Sequence, residues 1–319
     1  MLRPFRGRSG GGAMGRNLLG FELSAEQCAR FVSDGFLAID TPIVPQAEID
    51  RIRTTLDRLF AARAGWDEGA QFDLVGSSDD RGAQQSLPQL LEPVSYASEL
   101  RRLQYREIAA SIARQLLGRD ARPSFEHALL KPAHHGAATP WHQDEAYRVD
   151  PGFEYRQLSI WMPLQYATVE NGCMQYIPSS HRNGNVLTHR AANGNRSVHA
   201  VECVGDFDPS QAVACPLPPG GIVIHHGLTL HYAGPNTTDQ PRYAYVLGFE
   251  LPPARSRNSL QRVFPWNAER ESANRQRRRA WLRRGGFAVF LMRKLRYGGL
   301  SLRELRLQVQ RTLRYLRGV

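Results

Sequence analysis

The 319-residue chain predicts an α+β fold, with helices packed outside an antiparallel β sandwich or barrel. Three observations carry that class. Before residue 118, apolar residues recur at helical spacing, at Ile49, Ile52, Leu56, Leu59 and Phe60 and again at Leu100, Leu103, Ile108, Ile112 and Leu116. After Pro123 the pattern changes to short β-prone runs cut by Gly, Pro and Asn. No internal repeat and no glycine-rich phosphate or dinucleotide motif occurs in either part.

Residues 1–20 place Arg3, Arg6, Arg8 and Arg16 among glycines and read as a flexible basic arm. They lack the roughly 7–15-residue apolar core of a secretory signal. Ser24 with Gln27 is a capping box for a short helix through Cys28, Phe31 and Val32 that ends at Gly35. Phe36–Ile39 reads as a strand, and Pro45 opens a second helix. Gly65–Gln89 has no period and reads as a long loop. Tyr96–Gly118 reads as a helix. The predicted strands are Phe125–Leu130, Gln157–Leu164, Cys173–Ile177, Ser197–Val204, Gln211–Cys215, Ile222–His225 and Tyr243–Leu251. Turn signals divide them, among them Glu170-Asn171-Gly172, Pro178-Ser179-Ser180 and Gly234-Pro235-Asn236.

At 42% hydrophobic and 22% charged, the composition is that of a soluble globular protein. The longest apolar run, near Phe287–Met292, falls far short of the roughly 20 residues that span a bilayer, which excludes a transmembrane protein. Cys28, Cys173, Cys203 and Cys215 are widely spaced and predict neither a disulfide framework nor a zinc knuckle. The expected compartment is the reducing cytoplasm. The formal charge of +11 is unevenly spread. From Glu250 to Val319 there are 18 Lys plus Arg against 4 Asp plus Glu, a net of +14. The other 249 residues hold 23 against 26, a net of −3.

The chemistry concentrates around Trp141-His142-Gln143-Asp144. In an extended chain, side chains at i and i+2 project to the same side, so His142 and Asp144 can reach one ion. His231, beyond the apolar strand Ile222–Ile224, offers a third ligand. Two imidazoles and one carboxylate with open positions form the facial triad of non-heme Fe(II) oxygenases. Arg242 follows across the Gly234–Pro241 turn; near such an iron its guanidinium can hold the far carboxylate of a dicarboxylate co-substrate.

The order His142-x-Asp144, His231, Arg242 resembles the phytanoyl-CoA dioxygenase family of Fe(II)- and 2-oxoglutarate-dependent oxygenases. So do Glu170-Asn171-Gly172-Cys173 and Ile177-Pro178-Ser179-Ser180-His181, similar to that family's "ENGC" and "PGSH" segments, and Pro219-Gly220-Gly221 ahead of His226-Gly227. The resemblance covers residues 21–252 and implies a double-stranded β-helix, a jelly-roll or cupin-like barrel. It implies His142, Asp144 and His231 as iron ligands, Arg242 as partner of the 2-oxoglutarate 5-carboxylate, and O2 as the second co-substrate. Lys131, one of only two lysines, stands where the family often places a polar co-substrate contact; Trp161 is a candidate wall residue and equally a core aromatic. Ala233 replaces a frequent Ser or Thr, a hydroxyl that Thr229 could supply instead. Ser179 replaces the commoner glycine as a turn variant. Asp144 excludes the related halogenases, in which a small residue makes room for chloride, and favours hydroxylation with release of succinate and CO2. Tyr147 and Arg148 are candidate substrate contacts in a lid-like segment. His134 and His135 read as a solvated loop pair, His226 as supporting the site or packing the turn, and His127, His181, His189 and His199 carry no signal. By the resemblance, loops over the barrel mouth select substrate, here Gly65–Gln89 and Asn183–Arg196.

Residues 253–319 read as an Arg-rich amphipathic helical extension, with a second capping box at Ser301 and Glu304 and an apolar stripe of Leu302, Leu305, Val309, Leu313 and Leu316. Three readings fit it: docking on the barrel or on a protein partner, peripheral anchoring at the inner membrane surface, or tracking of nucleic-acid phosphates, the least favoured. The expected function is oxidation of a small or lipid-like molecule. The alternatives are a catalytically silent barrel used for recruitment and a nucleic-acid dioxygenase.

Overall fold

The structure, a computed structural model, describes residues 21–148, 153–255, 264–297, 309–310 and 312–313. The basic arm, the Ser301–Glu304 capping box and most of the final apolar stripe lie outside the described residues.

The N-terminal elements follow their local signals. Helix α1 (Ala25–Asp34) begins on the capping box, where Gln27 N donates to Ser24 Oγ at 3.1 Å and Ser24 N to Gln27 Oε1 at 2.8 Å. It ends at Gly35, whose φ of +83° is the left-handed cap that favours glycine. Strand β1 (Phe36–Ile39) follows, then α2 (Gln46–Ala61) after Pro45. The expected loop Gly65–Gln89 needs correction: β2 (Gln71–Asp73) pairs antiparallel with β3 (Pro88–Leu91). The Asp73 carboxylate gathers the intervening chain by accepting from Ser86 N and Leu87 N at 2.7 and 3.1 Å. Strands this short show no period. Helix α3 (Gln104–Leu117) also starts later than expected, after two 3₁₀ turns at Pro93–Ser95 and Ser98–Arg101. Its cap comes from another helix. Buried Glu48 of α2 accepts from Gln104 N and Tyr105 N at 3.0 and 2.9 Å, satisfying free N–H groups at the positive end of α3.

The rest of the body is β4 (Arg122–Lys131), β5 (Thr139–His142), β6 (Phe153–Glu154), β7 (Gln157–Pro163), β8 (Met174–Tyr176), β9 (His189–Ala191), β10 (Val201–Cys203), β11 (Val213–Cys215), β12 (Ile222–His226), β13 (His231–Ala233) and β14 (Arg242–Glu250). Among the described residues, the larger sheet has the antiparallel order β1-β12-β7-β14-β4-β3-β2, and the smaller the order β11-β8-β13-β5. The two-residue side-chain period decides the layers. Leu158, Ile160 and Met162 of β7, Ile222 and Ile224 of β12, and Tyr243, Tyr245 and Leu247 of β14 face the helices and form the main core with α1, α2 and α3. The alternate residues Trp161, Val223, Ala244 and Val246 face the smaller sheet and meet Met174, Tyr176 and Ala233. Central strands covered on both sides read as nearly continuous apolar runs, and β7 is buried throughout. This is the expected double-stranded β-helix, with helices outside it.

The extension doubles back on the body. After β15 (Ala254–Arg255) come α4 (Pro265–Glu269), α5 (Ala273–Trp281), a π-helical turn at Leu282–Gly286 and α6 (Phe287–Tyr297). Trp266 Nε1 and Asn267 Nδ2 donate to the Ala146 carbonyl at 2.9 and 2.7 Å. Arg277 donates to the Trp66 and Gln71 carbonyls, and Arg293 pairs with Glu68 at 2.5 Å. Several arginines of the basic segment therefore face the protein. No helix among the described residues is long and apolar enough to cross a membrane. All four cysteines are free.

Candidate metal centre

His142 ends β5, Gln143 continues extended, and Asp144 opens a short 3₁₀ turn. His231 opens β13 and pairs in register with His142. One donor atom each from His142, Asp144 and His231 lies within 4.8 Å of the others. From Asp144 Oδ1, the His231 and His142 Nε2 atoms stand at 3.5 and 3.7 Å. The far nitrogens set the tautomers. His142 Nδ1 lies 2.8 Å from the Pro140 carbonyl and His231 Nδ1 2.8 Å from that of Thr229. A carbonyl only accepts, so each Nδ1 carries the proton and each Nε2 presents its lone pair. Burial lowers the pKa of both rings and keeps them neutral. Burial acts to raise that of Asp144, but the His225 hydrogen bond and the neighbouring imidazoles outweigh it and hold the carboxyl well below the usual range. Neutral imidazoles beside a carboxylate are ready metal ligands.

The second oxygen of Asp144 is already occupied. Ser159 Oγ donates to Oδ2 at 2.5 Å, and His225 Nε2 lies 3.1 Å from the same atom. Tyr176 Oη stands 3.1 Å from His225 Nδ1. One consistent proton arrangement runs from Tyr176 to His225 to Asp144, leaving Oδ1 free for an ion. His225 and Ser159 are the residues that sequence reasoning missed. The available signal was the strand period: on β12, Ile222 and Ile224 face the helices, so Val223 and His225 must face the site. His226 points the other way and accepts from Leu228 N at 3.1 Å, packing the turn.

These groups line a cavity of about 320 Å³ between the two sheets. Arg242 lies in its wall, 1% exposed, with its guanidinium 5.4 Å from the centre of the Trp161 ring. Arg242 Nε donates at 3.4 Å to the carbonyl of Asn171, in the Glu170-Asn171-Gly172-Cys173 turn. That turn needs its glycine: Gly172 has φ +84°, and a Cβ there would meet the Gly234 carbonyl at 2.3 Å. Arg242 Nη1 and Trp161 Nε1 are buried with no hydrogen-bond partner among the described residues. Burial lowers the Arg242 pKa only to about 10, so it stays cationic. A buried cation with an unspent donor facing a cavity calls for an anion. The donor set and this orphaned donor together fit iron and the far carboxylate of 2-oxoglutarate.

Two expected contacts lie elsewhere. Lys131 stands opposite Arg242 in the sheet, but its ammonium donates to the Ala137 and Ala233 carbonyls, and it does not line the cavity. Thr229 is fully buried and donates to the Gly35 carbonyl at 2.7 Å, fastening the end of α1, and cannot replace the hydroxyl missing at Ala233. Tyr147 and Arg148 do line the cavity, yet both are engaged. Tyr147 Oη accepts from Val201 N at 3.2 Å, and Arg148 pairs with Glu250 at 2.6 Å. Of the two expected substrate loops, Gly65–Gln89 contributes Leu74 and Gln89 to the lining and Asn183–Arg196 contributes nothing. His127 and His199 also line it, and His134 and His135 are exposed.

The model of the phytanoyl-CoA dioxygenase (PhyH) family matches residues 31–244. The phytanoyl-CoA dioxygenase domain-containing protein 1 of Danio rerio is 32% identical over 124 residues, 38% of this chain and 41% of that protein. A probable alpha-ketoglutarate-dependent hypophosphite dioxygenase of Stutzerimonas stutzeri is 30% identical over 146 residues, 45% of this chain and 50% of that one. The chain thus spans half or less of the length of these curated relatives. Among solved structures, EvdO2 from Micromonospora carbonacea var. aurantiaca is 40% identical with a TM-score of 0.66, over 77% of this chain and 97% of its own. Its complex with 2-oxoglutarate gives 36% and 0.64 over the same shares.

Proposed function

The chain belongs to the phytanoyl-CoA dioxygenase family of Fe(II)- and 2-oxoglutarate-dependent oxygenases, and on that premise we propose that it hydroxylates an unactivated C–H bond of a small or lipid-like molecule. The observation that carries this reading is the convergence of His142, Asp144 and His231 on the same cavity as the unspent donor of Arg242. The bound iron and 2-oxoglutarate supply O2 activation and oxidising power, with succinate and CO2 as co-products.

The protein supplies position and surroundings. His142, Asp144 and His231 would hold the metal through Nε2, Oδ1 and Nε2. Ser159 and His225 orient the Asp144 carboxylate through Oδ2. Arg242 anchors the far carboxylate of the co-substrate, supported by the Asn171 carbonyl and the Trp161 face. Phe125, Leu129, Met174 and Val246 make much of the wall apolar and exclude water from the reacting groups. A volume of about 320 Å³ suits a small ligand or one end of a larger one. The extension's many contacts to the body support docking on the barrel over the membrane and nucleic-acid readings.

Anaerobic addition of Fe(II) and 2-oxoglutarate should produce a weak visible charge-transfer band in the wild type and none in His142→Ala. A well-folded wild type without the band sinks the oxygenase reading. With the band established, succinate release across a substrate panel identifies what is oxidised.

A further inference from the structure

A second cavity, of about 260 Å³, lies beside the first, between the extension and the body. Leu91, Tyr147 and His199 line both. The Tyr147 and His199 rings stack at 6.0 Å and 14°, so this pair is part of the wall between the cavities. The extension holds that wall in place. Asn274 Oδ1 lies 3.2 Å from His199 Nδ1, and Arg270 donates to the His199 carbonyl with its guanidinium 5.2 Å from the Tyr147 ring centre.

The second cavity is cationic and aromatic. Arg270, Arg275, Arg278 and Arg293 line it, with Glu92 as the one lining carboxylate among the described residues. Glu68, beside it, pairs with Arg293 at 2.5 Å. Arg270 and Arg275 are committed to the wall itself, donating to the His199, Asn267 and Arg270 carbonyls and to Asn267 Oδ1. Burial, with Arg270 and Arg275 nearby, keeps His199 neutral, so it adds no charge. Arg278 has no carboxylate partner among the described residues and stacks instead on Trp281 and Phe290, at 4.8 and 5.2 Å. Tyr96 completes the aromatic lining. All four arginines lie beyond the family-matched residues 31–244.

We propose that this annexe is a substrate subsite for an oxyanion, a carboxylate or phosphate ester, carried on an apolar or aromatic group. The substrate is then an amphiphilic anion: its charged end is held by Arg278 in the aromatic lining, and its reacting end enters the iron cavity past Tyr147 and His199. This rests on the oxygenase reading for the reaction, though not for the binding itself.

The test uses full-length protein loaded anaerobically with Fe(II) and 2-oxoglutarate, so that Arg242 is already occupied. Phenyl phosphate, benzoate and phenol are titrated by calorimetry and by tryptophan fluorescence, the Trp281 contribution being taken from the difference between wild type and Trp281→Phe. Either anion should bind at least about tenfold more tightly than phenol. Whichever anion binds better identifies the oxyanion. Arg278→Ala should remove that advantage, Arg278→Lys should restore part of it, and both should keep the iron–2-oxoglutarate band, which shows an intact fold. Because Tyr147 packs edge-on to His142 at 5.7 Å, the bound anion should also shift that band in the wild type. Equal affinity for phenol and both anions, undiminished anion binding in Arg278→Ala, or an unshifted band overturns the proposal. Tight anion binding without any band defeats the oxygenase reading and leaves the anion site standing; a band without anion preference does the reverse.

Discussion

The iron cavity takes His142, His231 and Arg242 from strands and Asp144 from the turn that follows β5, and its arrangement follows largely from sheet register. His142 faces His231 across paired strands, and Arg242, Trp161, Ser159 and His225 share the inner face of one sheet. The annexe takes its charged groups from helices appended after the sheet, and its arrangement depends on how the extension is fastened to the body. In the first, Asp144 is held from several sides, and Arg242 Nη1 and Trp161 Nε1 are left unpartnered. In the second, Arg270, Arg278 and Arg293 lie over aromatic rings. The contrast separates two tasks. Register makes a metal site whose geometry tolerates little variation, while an appended segment can change what enters without disturbing it.

Substitutions that strike one region and spare the other test this division. The largest effect is expected for Arg242→Met, which removes the buried cation. By the scale of about 2–5 kcal/mol for breaking a buried charge pair, the affinity for 2-oxoglutarate should fall by about 30-fold to several thousandfold, measured by titrating the charge-transfer band. Unchanged affinity would remove Arg242 from the co-substrate site. Next comes Trp266→Ala at the joint between the regions. Loss of a side chain that is 7% exposed and bonded to Ala146 should cost about 3–5 kcal/mol of local stability, seen as faster proteolysis of the extension. Survival of the iron band in that variant would sharpen the division; its disappearance would show that the extension holds Asp144 in place. His225→Ala should weaken Fe(II) binding about 10- to 100-fold, because Asp144 loses one of its two orienting partners. Binding unaffected by that change would reduce His225 to core packing. The smallest effect is expected for Ser179→Gly, where φ is +62°. Glycine relieves about 1 kcal/mol of left-handed strain. It also forfeits the Ser179 Oγ bond to the Ser33 carbonyl at 2.8 Å, worth about 0.5–1.5 kcal/mol, so thermal stability should move by less than a few degrees.

Legibility followed the range over which each feature is encoded. The α1 capping box, its Gly35 terminus and the runs of β7, β12 and β14 are local patterns, and the structure repeats them nearly residue for residue. The start of α3 was not legible, because its cap is a carboxylate from α2, 56 residues earlier. Nor were β2 and β3, too short to display alternation. Position relative to a motif suggests Lys131 and Thr229 as co-substrate contacts, yet each has a nearer acceptor, Lys131 in the Ala137 and Ala233 carbonyls and Thr229 in that of Gly35. A side-chain donor buried among free carbonyls bonds to them whatever its neighbours in sequence suggest.

The sequence by itself determined the fold class and the His142, Asp144 and His231 triad. A β core announces itself by alternation and turn residues, and metal ligation demands side-chain types with few substitutes. Strand period turns His225 rather than His226 inward; the tertiary structure alone decided that it meets Asp144 Oδ2, and that arginines of the basic segment turn inward to line a cavity beside the metal site. Net charge counts cations but not their direction. Which face of a helix is covered depends on the surface it meets, here the Tyr147–His199 wall and the Trp66–Gln71 backbone, far away in the chain.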